Sequence, residues 1–245
     1  PARTPAGIRF HEAVRATGAH EVVVLSPDHH RSLADLTPAE LEELFGVAVA
    51  RAAVHYGAGH EYVQILANHG KPAGASIEHP HLQIMAIDLP PPLVVGEAQR
   101  IAASRECPVC RGVQEDADVG SPFLVTGGAA PVWCPWWSGV PYEVMIAPRA
   151  HLPRVDQSGD AVGECARAVG RALTLLREIV GDIPYNLVVH TAPTQSTGDF
   201  HWHVHVWPRL TIQAGFEQGT GILVNQVAPE RAAEQFRGAG LRTPS

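Results

Sequence analysis

Residues 74–86 read Gly74-Ala75-Ser76-Ile77-Glu78-His79-Pro80-His81-Leu82-Gln83-Ile84-Met85-Ala86 and decide the fold of this chain. His79, His81 and Gln83 occupy alternate positions, so an extended strand places their side chains on one face. Such a face offers an imidazole nucleophile flanked by hydrogen-bond donors to a group that must be held in line, such as a phosphate. A half-buried strand with polar residues in solvent is the simpler interpretation of a single motif of this kind.

A second copy of the pattern argues against that simpler interpretation. Residues 200–208 again alternate histidine with apolar residues, in the order Phe200-His201-Trp202-His203-Val204-His205-Val206-Trp207-Pro208. A strand-like run ends eleven positions before each first histidine, at Asn68 and at His190. A histidine after a proline turn lies fifty positions before the first histidine of each motif, at His29 for His79 and at His151 for His201. Two spacings that both repeat are not expected by chance, so the chain contains two copies of one unit.

Each unit combines strands with one long helix. Thr37-Pro38-Ala39-Glu40 supplies an N-cap, a proline at the first helical position and a capping-box glutamate, and the helix that follows extends to about Tyr56. The apolar face of the second helix carries Val162, Cys165, Val169, Leu173, Leu176 and Ile179. This order predicts an α+β fold of antiparallel sheets with a long helix in each half. The halves are residues 1–100 and 101–245, and their sheets either join or pack as a pseudo-dimer.

The composition is typical of a globular protein, with 45% hydrophobic and 18% charged residues. No apolar run reaches the roughly 18–20 residues of a membrane span, and no signal peptide opens the sequence, so we expect a cytoplasmic protein without a membrane partner. The formal net charge of −7 argues against a nucleic-acid polymer as partner, because such a partner requires a basic stripe. A small phosphorylated ligand needs only local donors and remains compatible with this charge.

Two of the four cysteines form a Cys-x-x-Cys pair. Cys107-Pro108-Val109-Cys110 has the spacing of a metal knuckle or of a redox pair. We favour zinc, because the thioredoxin-like pattern expected around a redox pair is absent. Cys134 and Cys165 have no such neighbours and are interpreted as packing residues.

The motifs His-Pro-His-x-Gln and His-x-His-x-His, each after a proline turn, a long helix and a strand, resemble the histidine triad superfamily. The tandem arrangement, with Ser26-Pro27-Asp28-His29, Asn68 and residues 74–83, more narrowly resembles the galactose-1-phosphate uridylyltransferase family and its ADP-glucose phosphorylase branch. The resemblance extends from about residue 20 to about residue 237. It implies a nucleotidyltransferase in which the second histidine of the motif, here His81, attacks the α-phosphorus of a nucleoside diphosphate sugar. A sugar phosphate then discharges the nucleotidyl-histidine.

The same resemblance implies further substrate contacts around His81. Gln83 and Ser76 would donate hydrogen bonds to phosphate oxygens during transfer. The loop at Gly74 and the first histidine of the motif, His79, extend the substrate-binding surface. Asn68 lies beside the phosphate-binding loop in this interpretation, and a cap at the strand end is the alternative.

Metal sites are also implied by the resemblance, and they follow the repeat. In the first half, zinc would be held by a Cys-x-x-Cys pair with His29 and His79. No cysteine precedes residue 107, so either the segment with that pair lies outside this sequence or the site is lost. In the second half, a closed Cys₂His₂ zinc site would consist of Cys107, Cys110, His151 and His201. A competing set matches a second metal site of some uridylyltransferases and consists of Glu97, His190, His203 and His205. A second catalytic triad is a third interpretation of His203 and His205.

The C-terminal loop, residues 214–221, resembles the phosphorylase branch, and its expected substrate contacts are Phe216, Gly219 and Thr220. Uridylyltransferases hold the hexose with a tyrosine and a glutamate where this chain has Thr220 and Gly221. We therefore retain as alternatives a phosphorylase or hydrolase, which uses inorganic phosphate or water, and a zinc-stabilised nucleotide-binding protein without catalysis. A homodimer is expected in each case.

Overall fold

The computed structural model describes residues 15–114, 120–196 and 200–241. The strands are β1 (Gly18–Val24), β2 (Tyr62–His69), β3 (His81–Ile87), β4 (Leu124–Thr126), β5 (Val132–Trp133), β6 (Val144–Ile146), β7 (Tyr185–His190) and β8 (His203–Pro208). The α-helices are α1 (Pro38–Gly57), α2 (Pro92–Ala103), α3 (Pro108–Gln114), α4 (Ala161–Val180), α5 (Gly215–Thr220) and α6 (Pro229–Gly240).

The eight strands form a single sheet in the order β1-β3-β2-β7-β8-β6-β5-β4, and all neighbouring strands are antiparallel. β2 of the first half pairs with β7 of the second half, with Leu66 opposite Val188. The sheets of the two halves therefore join edge to edge. The predicted α+β fold, with one long helix in each half, is confirmed.

The two long helices cover one face of this sheet. Leu82 and Ile84 of β3 are buried in the same apolar core as Leu41 of α1 and Leu173 of α4. Because side chains alternate along a strand, His81 and Gln83 lie on the other face. Val204 and Val206 face the helices in the same way in β8, which leaves His203 and His205 on the face that carries His81. Both histidine motifs thus lie on the sheet face opposite the long helices.

The start of α1 confirms the predicted capping box. Glu40 N–H donates to Thr37 Oγ1 at 3.3 Å, and Thr37 N–H donates to Glu40 Oε2 at 2.7 Å. Arg31 donates two further hydrogen bonds of 2.7 Å to the Glu40 carboxylate. These bonds, with that of Arg31 as the main cause, lower the pKa of Glu40 to about 2. They attach the turn that contains His29 to the first turn of α1.

The close contact between α1 and α4 requires a glycine at position 170. A Cβ atom there would overlap Leu41 Cδ1 of α1. We expect Gly170→Leu to lower the free energy of unfolding by about 1–3 kcal/mol, the usual cost of inserting volume into a packed core. Urea denaturation measures this change. The matched control is Gly46→Leu on the exposed side of α1, where a Cβ meets no atom within 4 Å, and equal stability of the two variants would contradict the prediction.

Among the residues that the structure describes, no helix is both long enough and apolar enough to cross a membrane.

Candidate functional site

A cavity of about 610 Å³ opens beside the start of β3. Its wall contains four of the residues predicted to act on a phosphate, namely Asn68, Ser76, His79 and His81. β2 and β3 pair with Leu66 opposite Gln83, and continuing that register by two residues brings Asn68 opposite His81. The cavity therefore lies where two adjacent strands and the loop between them meet.

The loop that closes the cavity contains a short 3₁₀ turn, Lys71–Ala73, between two glycines with left-handed backbone. Gly70 and Gly74 have φ values of 77° and 87°, a region that L-residues with a Cβ rarely adopt. The turn exposes Lys71 at the cavity wall, where its ammonium group can attract an anion. Gly74 thus shapes the loop. Lys71 is a candidate ligand contact that the sequence pattern did not indicate, because a lone lysine in a loop has no distinctive spacing.

His81 has a defined tautomer. Its Nδ1 lies 2.9 Å from the carbonyl oxygen of His79, and since a carbonyl only accepts, Nδ1 carries the proton. With the proton on Nδ1, Nε2 is the nitrogen that can offer a lone pair, and the ring lines the cavity. A buried imidazole held by one nitrogen and available at the other is suited to nucleophilic attack.

Gln83 lies on the same sheet face as His81 but outside the cavity wall, whereas His79 and His29 line the cavity. Gln83 Oε1 lies 3.0 Å from His20 Nε2 on β1, so its amide N–H₂ remains available for another acceptor. His79 Nε2 donates to the Ser26 carbonyl at 2.6 Å, which leaves its Nδ1 lone pair facing His29 Nδ1 at 2.8 Å. His29 and His79 could therefore bind one metal ion, but they supply two of the four ligands that a structural zinc requires.

The second half repeats this geometry around the Cys-x-x-Cys pair. The His151 and His201 rings lie 4.9 Å apart, the same separation as the His29 and His79 rings. His201 Nε2 donates to the Pro148 carbonyl at 3.0 Å, as His79 does to Ser26. In both halves, this hydrogen bond places the ring proton on Nε2 and leaves the Nδ1 lone pair available to a metal ion.

The four residues around His201 suit a metal ion. Cys110 Sγ lies 3.0 Å from His151 Nδ1 and 3.4 Å from His201 Nδ1, and all four potential ligand atoms are within 4.8 Å of one another. A tetrahedral zinc separates sulfur and nitrogen ligands by roughly 3.5 Å. Burial, and then the neighbouring His151, lowers the pKa of His201 to about 4, so the ring is neutral at pH 7, as metal binding requires. Cys107 and Cys110 are both free thiols.

The competing set also comes together, at the centre of the second half. Glu97 of α2 lies 3.0 Å from His190 Nδ1 and 3.1 Å from His203 Nε2. His205 Nε2 lies 3.1 Å from the same His203 nitrogen, and the three histidines are buried. Burial raises the pKa of the Glu97 carboxyl, but the two histidines that contact it outweigh this effect and lower the pKa below its ordinary value. These three histidines also form a group that could hold a metal ion.

This cluster distinguishes the second His-x-His motif from the first. His203 Nδ1 donates to the His201 carbonyl at 2.8 Å, as His81 Nδ1 donates to the His79 carbonyl in the other half. In contrast to His81, His203 is 0% exposed and its Nε2 is engaged by Glu97 and His205. Both ring nitrogens of His203 are therefore engaged, and neither is accessible to a ligand.

Two features of this region were not indicated by the sequence. Glu143, just before β6, accepts hydrogen bonds from His205 Nδ1 at 3.2 Å and from Trp207 Nε1 at 3.0 Å and so orients both rings. A cavity of about 730 Å³ lies above them, lined by Trp136, Trp137 and Val140 in addition to this cluster. No motif spacing connects Glu143 to His205, because only the pairing of β6 with β8 brings them together.

The predicted contacts of the C-terminal loop lie outside the cavity around His81. Phe216, Gly219 and Thr220 belong to the short helix α5, where the Phe216 side chain is 55% exposed. The Thr220 hydroxyl donates to the Phe216 carbonyl at 2.7 Å and accepts from Ile222 N–H at 3.1 Å. Within one chain, these residues are not brought together with His81.

Known proteins are similar to this chain in sequence. Residues 3–91 match the model of a family described as galactose-1-phosphate uridyl transferase, N-terminal domain. ADP-glucose phosphorylase from Arabidopsis thaliana is 29% identical over 241 residues, which cover 91% of this chain and 65% of that protein. Galactose-1-phosphate uridylyltransferase from Thermotoga maritima is 29% identical over 239 residues, covering 90% of this chain and 74% of that protein. The chain thus spans slightly less than two thirds of the first relative's length.

Solved structures show the same similarity. A uridylyltransferase structure superimposes with a TM-score of 0.87 at 26% identity, covering 99% of this chain and 81% of that one. The structure of ADP-glucose phosphorylase from Arabidopsis thaliana with bound ADP-glucose gives a TM-score of 0.81 at 26% identity, covering 90% and 72%.

Two histidine-bearing strands in one antiparallel sheet, each with a long helix behind it, define a tandem histidine-triad protein. Within that class, the match of residues 3–91 and the superposition over nearly the whole chain point to a narrower similarity, to the galactose-1-phosphate uridylyltransferase family.

Proposed function

We propose that this chain is a nucleotidyltransferase that passes a nucleotidyl group through His81. Its substrates are a nucleoside diphosphate sugar and either a sugar phosphate or inorganic phosphate. The single observation that carries the proposal is the tautomer of His81, whose Nδ1–H bonds the His79 carbonyl beside a cavity large enough for a nucleotide. Relatives named galactose-1-phosphate uridylyltransferase and ADP-glucose phosphorylase support both versions of the reaction.

The first step is attack of the His81 Nε2 lone pair on the α-phosphorus. A P–N bond forms, the bond between the α-phosphorus and the bridging oxygen breaks, and the sugar phosphate leaves with that electron pair. The Nδ1–H bond to the His79 carbonyl supports the positive charge that develops on the ring. Asn68, Ser76 and Gln83 are the proposed donors to phosphate oxygens. An acceptor phosphate oxygen then attacks the same phosphorus and releases neutral His81.

Zinc is the proposed metal of the Cys107, Cys110, His151 and His201 site. This donor set leaves no open ligand position, which is characteristic of structural zinc, and a bound zinc would tie α3 to the segment just before β8 and to the proline turn before His151. The cluster of Glu97 with three histidines is a second candidate metal site. We also propose that the chain consists of two histidine-triad-like halves, 1–100 and 101–245, and that the protein is a homodimer.

Labelling with radioactive nucleotide sugars tests the proposal. A panel that varies the base and the sugar is incubated with the protein, and the label is then tested for release in acid and retention in base, as expected for a phosphoramidate. Ligand binding without any covalent label would instead support the non-catalytic nucleotide-binding alternative.

The acceptor is predicted from the chemistry of the C-terminal loop, which would reach the cavity around His81 from the second chain of the proposed homodimer. The Thr220 hydroxyl is already engaged by Phe216 and Ile222, and Gly221 offers no side chain, so neither supplies the directional bonds that select a hexose. We expect inorganic phosphate to discharge the labelled enzyme at least as fast as galactose 1-phosphate. The discharge rates with galactose 1-phosphate, glucose 1-phosphate, phosphate and water provide the measurement. A tenfold advantage for galactose 1-phosphate, about 1.4 kcal/mol, would refute the phosphorylase version.

A further inference from the structure

Three polar side chains form a chain of hydrogen bonds from the end of β8 to the cavity around His81. Arg209 Nε donates to Asn186 Oδ1 at 2.5 Å, and Asn186 Nδ2 donates to Asn68 Oδ1 at 2.6 Å. Asn186 Nδ2 also donates to the Ala73 carbonyl, at 2.8 Å. Asn186 is 8% exposed and lies directly opposite Asn68 in the pairing of β2 with β7. The second half of the chain therefore contacts Asn68, a residue of the cavity wall, through this asparagine.

Both outer partners of Asn186 have only one possible role. A guanidinium can only donate and a backbone carbonyl can only accept, so Arg209 and Ala73 together determine which end of the Asn186 amide is oxygen and which is nitrogen. Asn68 must then present its oxygen to the Asn186 N–H₂ group, because two facing N–H₂ groups cannot form a hydrogen bond. The N–H₂ of Asn68 is left for the cavity. The direction of the Asn68 amide is thus set from the Arg209 end.

We propose that Asn186 and Arg209 are positioning residues that make Asn68 a hydrogen-bond donor toward the phosphates of the bound nucleotide. This inference rests on the proposed function, because it assigns a task within the same nucleotidyl transfer. Neither residue lines the cavity around His81, so both act through Asn68. The bond from Asn186 to Ala73 also holds the 3₁₀ turn that carries Lys71 at the cavity wall.

The second half provides an internal comparison. The repeat relates Asn68 to His190, and Gln64 occupies the position opposite His190 that Asn186 occupies opposite Asn68. Gln64 Nε2 donates to the backbone carbonyls of Ile65 and Val189 at 2.9 and 2.8 Å. The described residues thus show an amide oriented by a neighbouring amide beside the accessible His81, whereas opposite His190, on the side of the occluded His203, the Gln64 Nε2 bonds to backbone.

The test inverts the direction of the Asn68 amide with one substitution. In Asn186→Asp, an oxygen replaces the donor that faces Asn68 and Ala73, so the Asn68 amide turns to donate to the new carboxylate and presents its carbonyl to the phosphates. We expect the first-order rate constant for labelling of His81 to fall at least about tenfold. Asn225→Asp is the matched control, because Asn225 Nδ2 likewise donates two hydrogen bonds, in its case to the backbone carbonyls of Ser138 and Val140. It should leave this rate constant unchanged at a similar cost in melting temperature.

The same change is then made in an Asn68→Ala variant. Without the Asn68 amide there is no polarity to invert, so adding Asn186→Asp should change the labelling rate constant by less than twofold. An equal loss with and without Asn68, or wild-type labelling by Asn186→Asp, would overturn the inference. If the wild-type protein forms no label, the proposed function fails, but the positioning role can still be tested. The affinity for ADP and UDP is then measured in place of the labelling rate. Asn186→Asp should then weaken binding only when Asn68 is present, and equal weakening in both backgrounds would refute the positioning role.

Discussion

His81→Asn is expected to reduce covalent labelling by at least about 10³-fold while the protein remains folded, since the reaction loses its only proposed nucleophile. The asparagine amide keeps a group that can donate to the His79 carbonyl but has no basic nitrogen lone pair to attack phosphorus. Because His81 lies at the cavity wall and away from the apolar core, the melting temperature should change little. Single-turnover labelling and thermal denaturation are measured on the same preparation.

The control for this experiment is His203→Asn, the same substitution at the corresponding position of the second motif. His203 is buried and its Nε2 contacts Glu97 and His205, so the variant should retain covalent label and lose stability. Label that persists in His81→Asn and disappears in His203→Asn would move the nucleophile to the second half.

Cys107→Ser is expected to remove about one zinc per chain and to lower the melting temperature in the same variant. Metal binding at a closed four-ligand site contributes directly to the free energy of folding, so losing one thiolate ligand weakens both. The four ligand atoms come from the turn before α3, α3 itself, the proline turn and the residue preceding β8 by two positions. Elemental analysis after exhaustive dialysis measures the metal content.

Cys165→Ser separates loss of metal from loss of packing. Cys165 is 0% exposed in the core side of α4, so its substitution should lower stability and leave the zinc content unchanged. Zinc retained in full by Cys107→Ser and lost in Glu97→Gln would contradict the assignment and place the metal at the histidine cluster.

Much of the site was predictable because its residues recur at regular spacings in the sequence. Alternation along a strand placed His79, His81 and Gln83 on one face, and the repeated fifty-residue spacing paired His29 with His79 and His151 with His201. The structure brings both pairs to the same 4.9 Å ring separation. The capping box at Thr37 was predictable for a similar reason, since all of its hydrogen bonds are made within four consecutive residues.

By itself, the sequence determined the two units, their long helices and the alternating histidines, since each of these depends on neighbours within one strand, one turn or one repeat. Only the tertiary structure decided which histidine has an accessible nitrogen and which way the Asn68 amide points. Those outcomes depend on Glu97 from α2 and on Asn186 from β7, which lie 106 and 118 residues from the groups they contact. Contacts across the joined sheet follow from strand pairing and packing of the whole chain, and no local spacing of residues encodes them.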